Sequence, residues 1–152
     1  RRGFTQEDFA MRHPLGALGR RLLMRVRDFM YTGFDNPVIP DTAPLREAID
    51  QMTTKRLGAV SVVDAEGRLA GIFCDGDLRR LLQRAGEPLD PGRPVAEFMI
   101  RNPKTTTPDT PGAKAVDIME TWRITVLPVV DESRRVVGMI HLHDLVRAGI
   151  TH

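Results

Sequence analysis

Apolar positions in this chain change period in a fixed order, and the order occurs twice. Leu45, Ala48, Ile49 and Met52 fall at i, i+3, i+4 and i+7, one face of a helix, and Ala115, Val116 and Met119 repeat that stripe. Next come the β-branched runs Ala59-Val60-Ser61-Val62-Val63 and Val126-Leu127-Pro128-Val129-Val130, each ending at an aspartate, which predict buried strands. Asp64 and Asp131 then open turns, and residues 69–73 and 136–140 predict returning strands, so each pair forms a hairpin. A final helix starts around Asp75 or His143 and carries Leu78, Leu81 and Leu82, or Leu145 and Val146. Short strands at Val38-Ile39 and at residues 105–107 lead into the first helices.

The repetition is a duplication in one register. Residues 44–80 reappear as 111–147 at a constant shift of 67, which superposes Asp50 on Asp117, Val62-Val63-Asp64 on Val129-Val130-Asp131, Gly71 on Gly138 and Asp77-Leu78 on Asp144-Leu145. Upstream, residues 26–30 echo residues 95–99 at a shift of 69. The expected organisation is a linker over 1–25, a first copy over 26–85, a proline-rich connector over 86–94 and a second copy over 95–150. A copy of about 60 residues is marginal alone, so the two are expected to pack around a pseudo-twofold axis. The predicted fold class is α/β with small sheets, two βαββα-like copies.

Composition narrows the chemistry. The chain has 152 residues, 41% hydrophobic, and its longest apolar runs are about five residues, against the roughly 20 a membrane helix needs. The start at Arg1-Arg2-Gly3, without an initiator methionine or leader, reads as an excised fragment. One cysteine, Cys74, excludes an intramolecular disulfide and a cysteine-based metal site, which fits a reducing cytoplasm. Twenty-two basic and 20 acidic residues are interspersed, and one Trp with one Tyr offers no stacking platform, so nucleic acid is not an expected partner. The five arginines between Arg12 and Arg27 are an exception, read as a solvated helix face or as a surface for an anionic partner.

The duplicated strand run before an aspartate, the Gly-hydrophobic-hydrophobic strand and the Asp-Leu opening the last helix resemble the CBS-domain family, over about residues 26–147. Its members usually pair into a disc with ligand clefts between the halves. A narrower resemblance covers residues 2–22, RGFTQEDFAMRHPLGALGRRL, together with residues 72–80 and 141–149, which look like the arabinose-5-phosphate isomerases of the Kdo (lipopolysaccharide) pathway. The resemblance implies a parent aldose-ketose isomerase, usually tetrameric, whose sugar isomerase domain is missing here. It also implies that this fragment is a regulatory module, not a catalyst.

Site expectations follow from that resemblance. His13, in His13-Pro14-Leu15-Gly16, matches an active-site histidine of those isomerases, with Leu15 where a glycine is usual. Isomerisation needs a base, a partner acid and a phosphate cradle together, and the fragment has no glycine-rich phosphate loop, so catalysis by His13 is expected only in the full-length parent. In nucleotide-binding CBS pairs an aspartate at the last helix binds ribose hydroxyls and a Ser or Thr three residues earlier helps hold phosphate. The matching positions are Cys74 with Asp77 and His141 with Asp144, so both copies keep the acid and lose the hydroxyl. For the two aspartates the alternative is simple stabilisation of a helix N-terminus; for Cys74 it is a small buried hydrophobe; for His141 and His143, exposed helix-capping histidines. Arg79, Arg80 and Arg123 are candidate anion contacts, as is Thr105 for base or sugar, against ordinary surface arginines and an edge strand. Loss of the hydroxyls argues against AMP or ATP. It leaves an anionic nucleotide or sugar nucleotide such as CMP-Kdo as effector, with no metal and no cofactor. The alternative is a ligand-free scaffold that oligomerises the isomerase.

Overall fold

The computed structural model describes residues 16–84 and 86–151. Elements in chain order are α1 (Gly16–Leu23), 3-10 turns at Val26–Asp28 and Gly33–Asp35, β1 (Val38–Pro40), α2 (Leu45–Lys55), β2 (Ala59–Val63), β3 (Leu69–Cys74) and α3 (Asp75–Leu82). The second copy follows with a 3-10 turn at Val95–Glu97, β4 (Ile100–Arg101), α4 (Gly112–Trp122), β5 (Val126–Val130), β6 (Val136–His141) and α5 (Leu142–Arg147). Both predicted hairpins form, β2 with β3 and β5 with β6, antiparallel. Asp64 and Asp131 set their turns, each accepting two backbone N–H groups on Oδ1, from Glu66 and Arg68 and from Ser133 and Arg135.

One predicted strand is corrected. β1 pairs in parallel with β2, whereas its counterpart at residues 105–107 contributes only an isolated bridge, Thr106 to Val129. The reason lies in the facing strand. In copy one the Ser61 N–H donates to the Pro37 carbonyl; the equivalent position in copy two is Pro128, which has no N–H to give. Thr106 N–H still donates to the Pro128 carbonyl, and Val130 N–H to Thr106.

The lead-in of each copy packs on the other copy. Val26 N–H donates to Thr110 O at 2.9 Å and Arg27 N–H to Pro108 O at 2.9 Å, while Val95 N–H donates to Ala43 O at 2.7 Å and Ala96 N–H to Asp41 O at 3.2 Å. Val95 and Met99 accordingly lie in the first core, with Leu45, Met52, Val62 and Phe73, and Val26 in the second, with Met119, Leu127, Ile140 and Leu145. β4 extends the first sheet by pairing Ile100 with Ile72, and Tyr31 makes the equivalent bridge to Met139. A third cluster, Leu57, Ala59, Ile72, Val126 and Met139, draws on both copies and forms the seam. The halves therefore share apolar surface that neither copy could bury alone.

Glycine is required where these lead-ins cross the hairpins. A Cβ on Gly71 would stand 2.7 Å from the Ile100 carbonyl oxygen, and one on Gly138 2.8 Å from that of Tyr31. Both lie inside strands, so close backbone approach is what demands the missing side chain.

Candidate functional site

Where the seam reaches the surface it opens into a cleft of about 790 Å³. One wall is the α2 end, Arg56 to Gly58, with the start of α3; the other is the segment from Ile100 to Lys104 and the α4 end, Trp122 to Val126. α2 and α4 both stop in a left-handed cap, at Arg56 (φ 65°) and Arg123 (φ 55°), positions that glycine usually fills. The turn aims two pseudo-equivalent arginines at the same cleft. With Arg80 and Lys104 they make four cationic side chains on the lining, against two carboxylates, Asp75 and Asp77. Leu57, Ile72, Ile100, Ile124 and Val126 supply apolar wall, and Trp122 is 56% exposed, with the Lys104 ammonium 3.8 Å from its ring centroid.

The sequence-predicted residues divide. Cys74, Asp77, Arg80, Arg123 and His141 line the cleft together. Arg79, Thr105, His143 and Asp144 do not line it, and His13 lies outside the described residues. Asp77 is 8% exposed and acts first on its own helix: Oδ2 accepts the Cys74 N–H at 2.9 Å and Oδ1 accepts Arg80 Nη2 at 2.5 Å. Each oxygen keeps one further acceptor site for a ligand hydroxyl. Burial, then Asp77 and Asp75, push the Cys74 thiol up to about 12, so it stays a neutral, weakly polar wall atom. Burial holds His141 below its ordinary value, with Asp144 opposing and His143 reinforcing. Its Nδ1 accepts the His143 N–H at 3.0 Å, so the neutral ring carries its proton on Nε2, a donor.

Sequence reasoning missed Arg56, Lys104, Trp122 and Tyr31. Arg56 caps α2 at the position where Arg123 caps α4, a signal that the 67-residue shift contains; Trp122 ends α4 where Lys55 ends α2, and that shift gives no aromatic counterpart to point to it. Among the described residues no group of three or more His, Cys, Asp or Glu is placed to hold a metal, and no helix is long and apolar enough to cross a membrane.

Comparison with known proteins agrees with this geometry. The CBS domain family matches residues 26–84 and 95–150. The chain is 43% identical over 149 residues to the arabinose 5-phosphate isomerase KdsD of Yersinia pestis, covering 98% of this chain and 44% of that protein. It is 46% identical over 150 residues to KdsD of Pseudomonas aeruginosa, covering 98% and 45%. The chain thus spans less than half the length of these curated relatives. Among solved structures, the CBS domain pair of protein MJ0100, in complex with 5′-methylthioadenosine and S-adenosyl-L-methionine, superposes with a TM-score of 0.71 at 26% identity over 82% of this chain and 94% of that one. CBSX2 in complex with AMP shares the fold at 23% identity and a TM-score of 0.67, over 82% and 95%. On its duplicated sequence, its cross-packed halves and these matches, the chain belongs to the CBS-domain family, as a tandem pair.

Proposed function

We propose that this pair is the regulatory module of a cytoplasmic arabinose 5-phosphate isomerase, and that an anionic nucleotide or sugar nucleotide in the seam cleft biases the attached isomerase domain. The observation that carries the reading is the excess of two positive charges in a partly apolar cleft walled by both copies. A phosphate monoester carries about −1.5 to −2 at pH 7, and a sugar nucleotide such as CMP-Kdo joins a phosphodiester to a carboxylate, so either balances the lining. Arg56, Arg80, Arg123 and Lys104 take the anionic groups, Asp77 a hydroxyl, and Trp122 the face of a base. Similarity to the KdsD enzymes supports the attached isomerase, in which His13 would serve proton transfer. The adenosyl ligands of the MJ0100 pair support a nucleoside-type effector.

A ligand bridging both walls favours one relative setting of the halves, and such coupling typically amounts to about 1–3 kcal/mol. Thermal melts with AMP, ATP, CMP and CMP-Kdo test the reading. A true ligand at 100 times its Kd adds about 2.7 kcal/mol and raises the midpoint, and silence from the whole panel defeats the proposal. A ligand-free scaffold is the second reading, favoured by Leu82 and Val146, exposed at 66% and 51% on the last helices. Sedimentation of Leu82→Glu and Val146→Glu variants measures it: unchanged mass removes it.

A further inference from the structure

The duplication supplies two pseudo-equivalent carboxylates, Asp77 and Asp144, and only Asp77 lines the cleft. We infer that Tyr31 decides which of the two receives a ligand: its hydroxyl occupies the Asp144 carboxylate and closes the second half-site, so the pair binds one effector per chain. This rests on the proposed effector reading and adds its stoichiometry and the residue that sets it.

The geometry is asymmetric at matched positions. Ile100 pairs with Ile72 on β3, and Tyr31 pairs with Met139 on β6; Ile72 and Met139 are 67 residues apart, so Ile100 and Tyr31 are counterparts. Ile100 offers Asp77 no hydrogen bond and stands half exposed beside an open cleft. Tyr31, half-buried and packed on the seam cluster, donates its hydroxyl to Asp144 Oδ2 at 2.6 Å. Both aspartates have an arginine three residues on, Arg80 for Asp77 and Arg147 Nη2 at 3.8 Å for Asp144; what Asp144 alone has is a donor from a separate segment of the chain, the Tyr31 phenol. The flank is tied down as well. Lys55, counterpart of Trp122, donates Nζ to the Phe34 carbonyl and lies 3.2 Å from the Phe34 ring centroid. A ribose or sugar hydroxyl seeking Asp144 must first displace an internal phenol held by a charge-assisted bond.

Two measurements test this, one without any ligand. Tyr31 is the single tyrosine, so ultraviolet titration of phenolate absorbance reads it alone. The hydrogen bond to Asp144, then burial and the charge of Asp144, hold its pKa above 10.0, with Asp35 adding and Arg147 opposing. The midpoint should stand above 10.0 and fall back in Asp144→Ala; an ordinary midpoint that Asp144→Ala leaves unmoved overturns the latch. Calorimetric titration with 5′-CMP and 5′-AMP should give, for whichever of the two binds, one site per chain, and two sites in Tyr31→Ile, which installs the Ile100 arrangement. Two sites in the wild type, or one in a cooperatively melting Tyr31→Ile, overturn the inference. If Tyr31→Ile does not melt cooperatively, the phenol titration decides. Absence of binding heat with both probes defeats the effector reading, while the phenol titration still judges the latch.

Discussion

Replacing Gly71 with alanine should strain the crossing that joins the two copies. The added Cβ would meet the Ile100 carbonyl oxygen at 2.7 Å, Met99 Sδ at 2.7 Å and Met99 Cγ at 2.9 Å. Met99 is a buried member of the first core, and the Ile100 carbonyl belongs to a strand in register with β3, so neither neighbour yields freely. Relief requires β4 to back away by about 0.7 Å, to ordinary contact distance, which weakens the Gly71–Arg101 and Ile72–Ile100 pairing. Overpacking of this kind costs about 1–3 kcal/mol. The backbone at Gly71 is not left-handed, so alanine recovers about 0.4–1 kcal/mol from the unfolded state. The central values, about 2 and about 0.7 kcal/mol, leave a net loss of about 1.3 kcal/mol, a fall in Tm of roughly 3–5 °C for a chain of this size. Thermal and urea unfolding should show it, with a smaller loss of the same sign for Gly138→Ala, whose Cβ meets Tyr31 O at 2.8 Å but Met30 Sδ at 3.2 Å. Gly19→Ala is the control: nothing lies within 4 Å of that Cβ, and in a helix alanine should be neutral or stabilising by up to about 1 kcal/mol. A Gly71→Ala protein as stable as the wild type would refute the crowded crossing.

Asp77→Ala should lower stability by about 0.5–2 kcal/mol through loss of the helix cap, most of it from the stranded Cys74 N–H, since Arg80 is largely exposed and its ion pair adds little; urea unfolding measures it, and Arg80→Ala should cost much less. Cys74 should react with a disulfide reagent far more slowly at pH 8 than a free thiol, because its pKa is pushed up to about 12; a rate like that of glutathione contradicts the buried setting. His141 carries a folded pKa below 6.5, so the unfolded chain takes up the proton first as pH falls. Its contribution is therefore whole above pH 6.5 and declines from there down to the folded pKa, and His141→Gln should flatten that part of the stability profile.

Much of the fold was legible because burial repeats with the duplication. The stripe from Leu45 to Met52 and the runs before Asp64 and Asp131 each face a core, so periodicity alone located α2, β2 and β5. Residues 105–107 misled because β-propensity in Thr105-Thr106-Thr107 says nothing about the donor that Pro128 withholds across the sheet. The exchange of lead-ins was also invisible, since residues 26–30 and 95–99 match each other without revealing which copy they cover. In the site, motif positions found the helix starts that carry Cys74, Asp77, Arg80 and His141. Local sequence could not show that the α2 and α4 ends converge there, nor that Tyr31 reaches Asp144, 113 residues away, because both depend on tertiary closure.

Trp122 is the single tryptophan, and its ring stands in the seam cleft, so its emission reports that place alone. Titrating the chain with the nucleotide that most raises its melting temperature should change the emission saturably, at the concentration where calorimetry sees binding. Lys104→Ala or Arg123→Ala should shift both curves to weaker affinity together. Binding heat with no change in tryptophan emission would place the ligand elsewhere and contradict the cleft as the effector's seat.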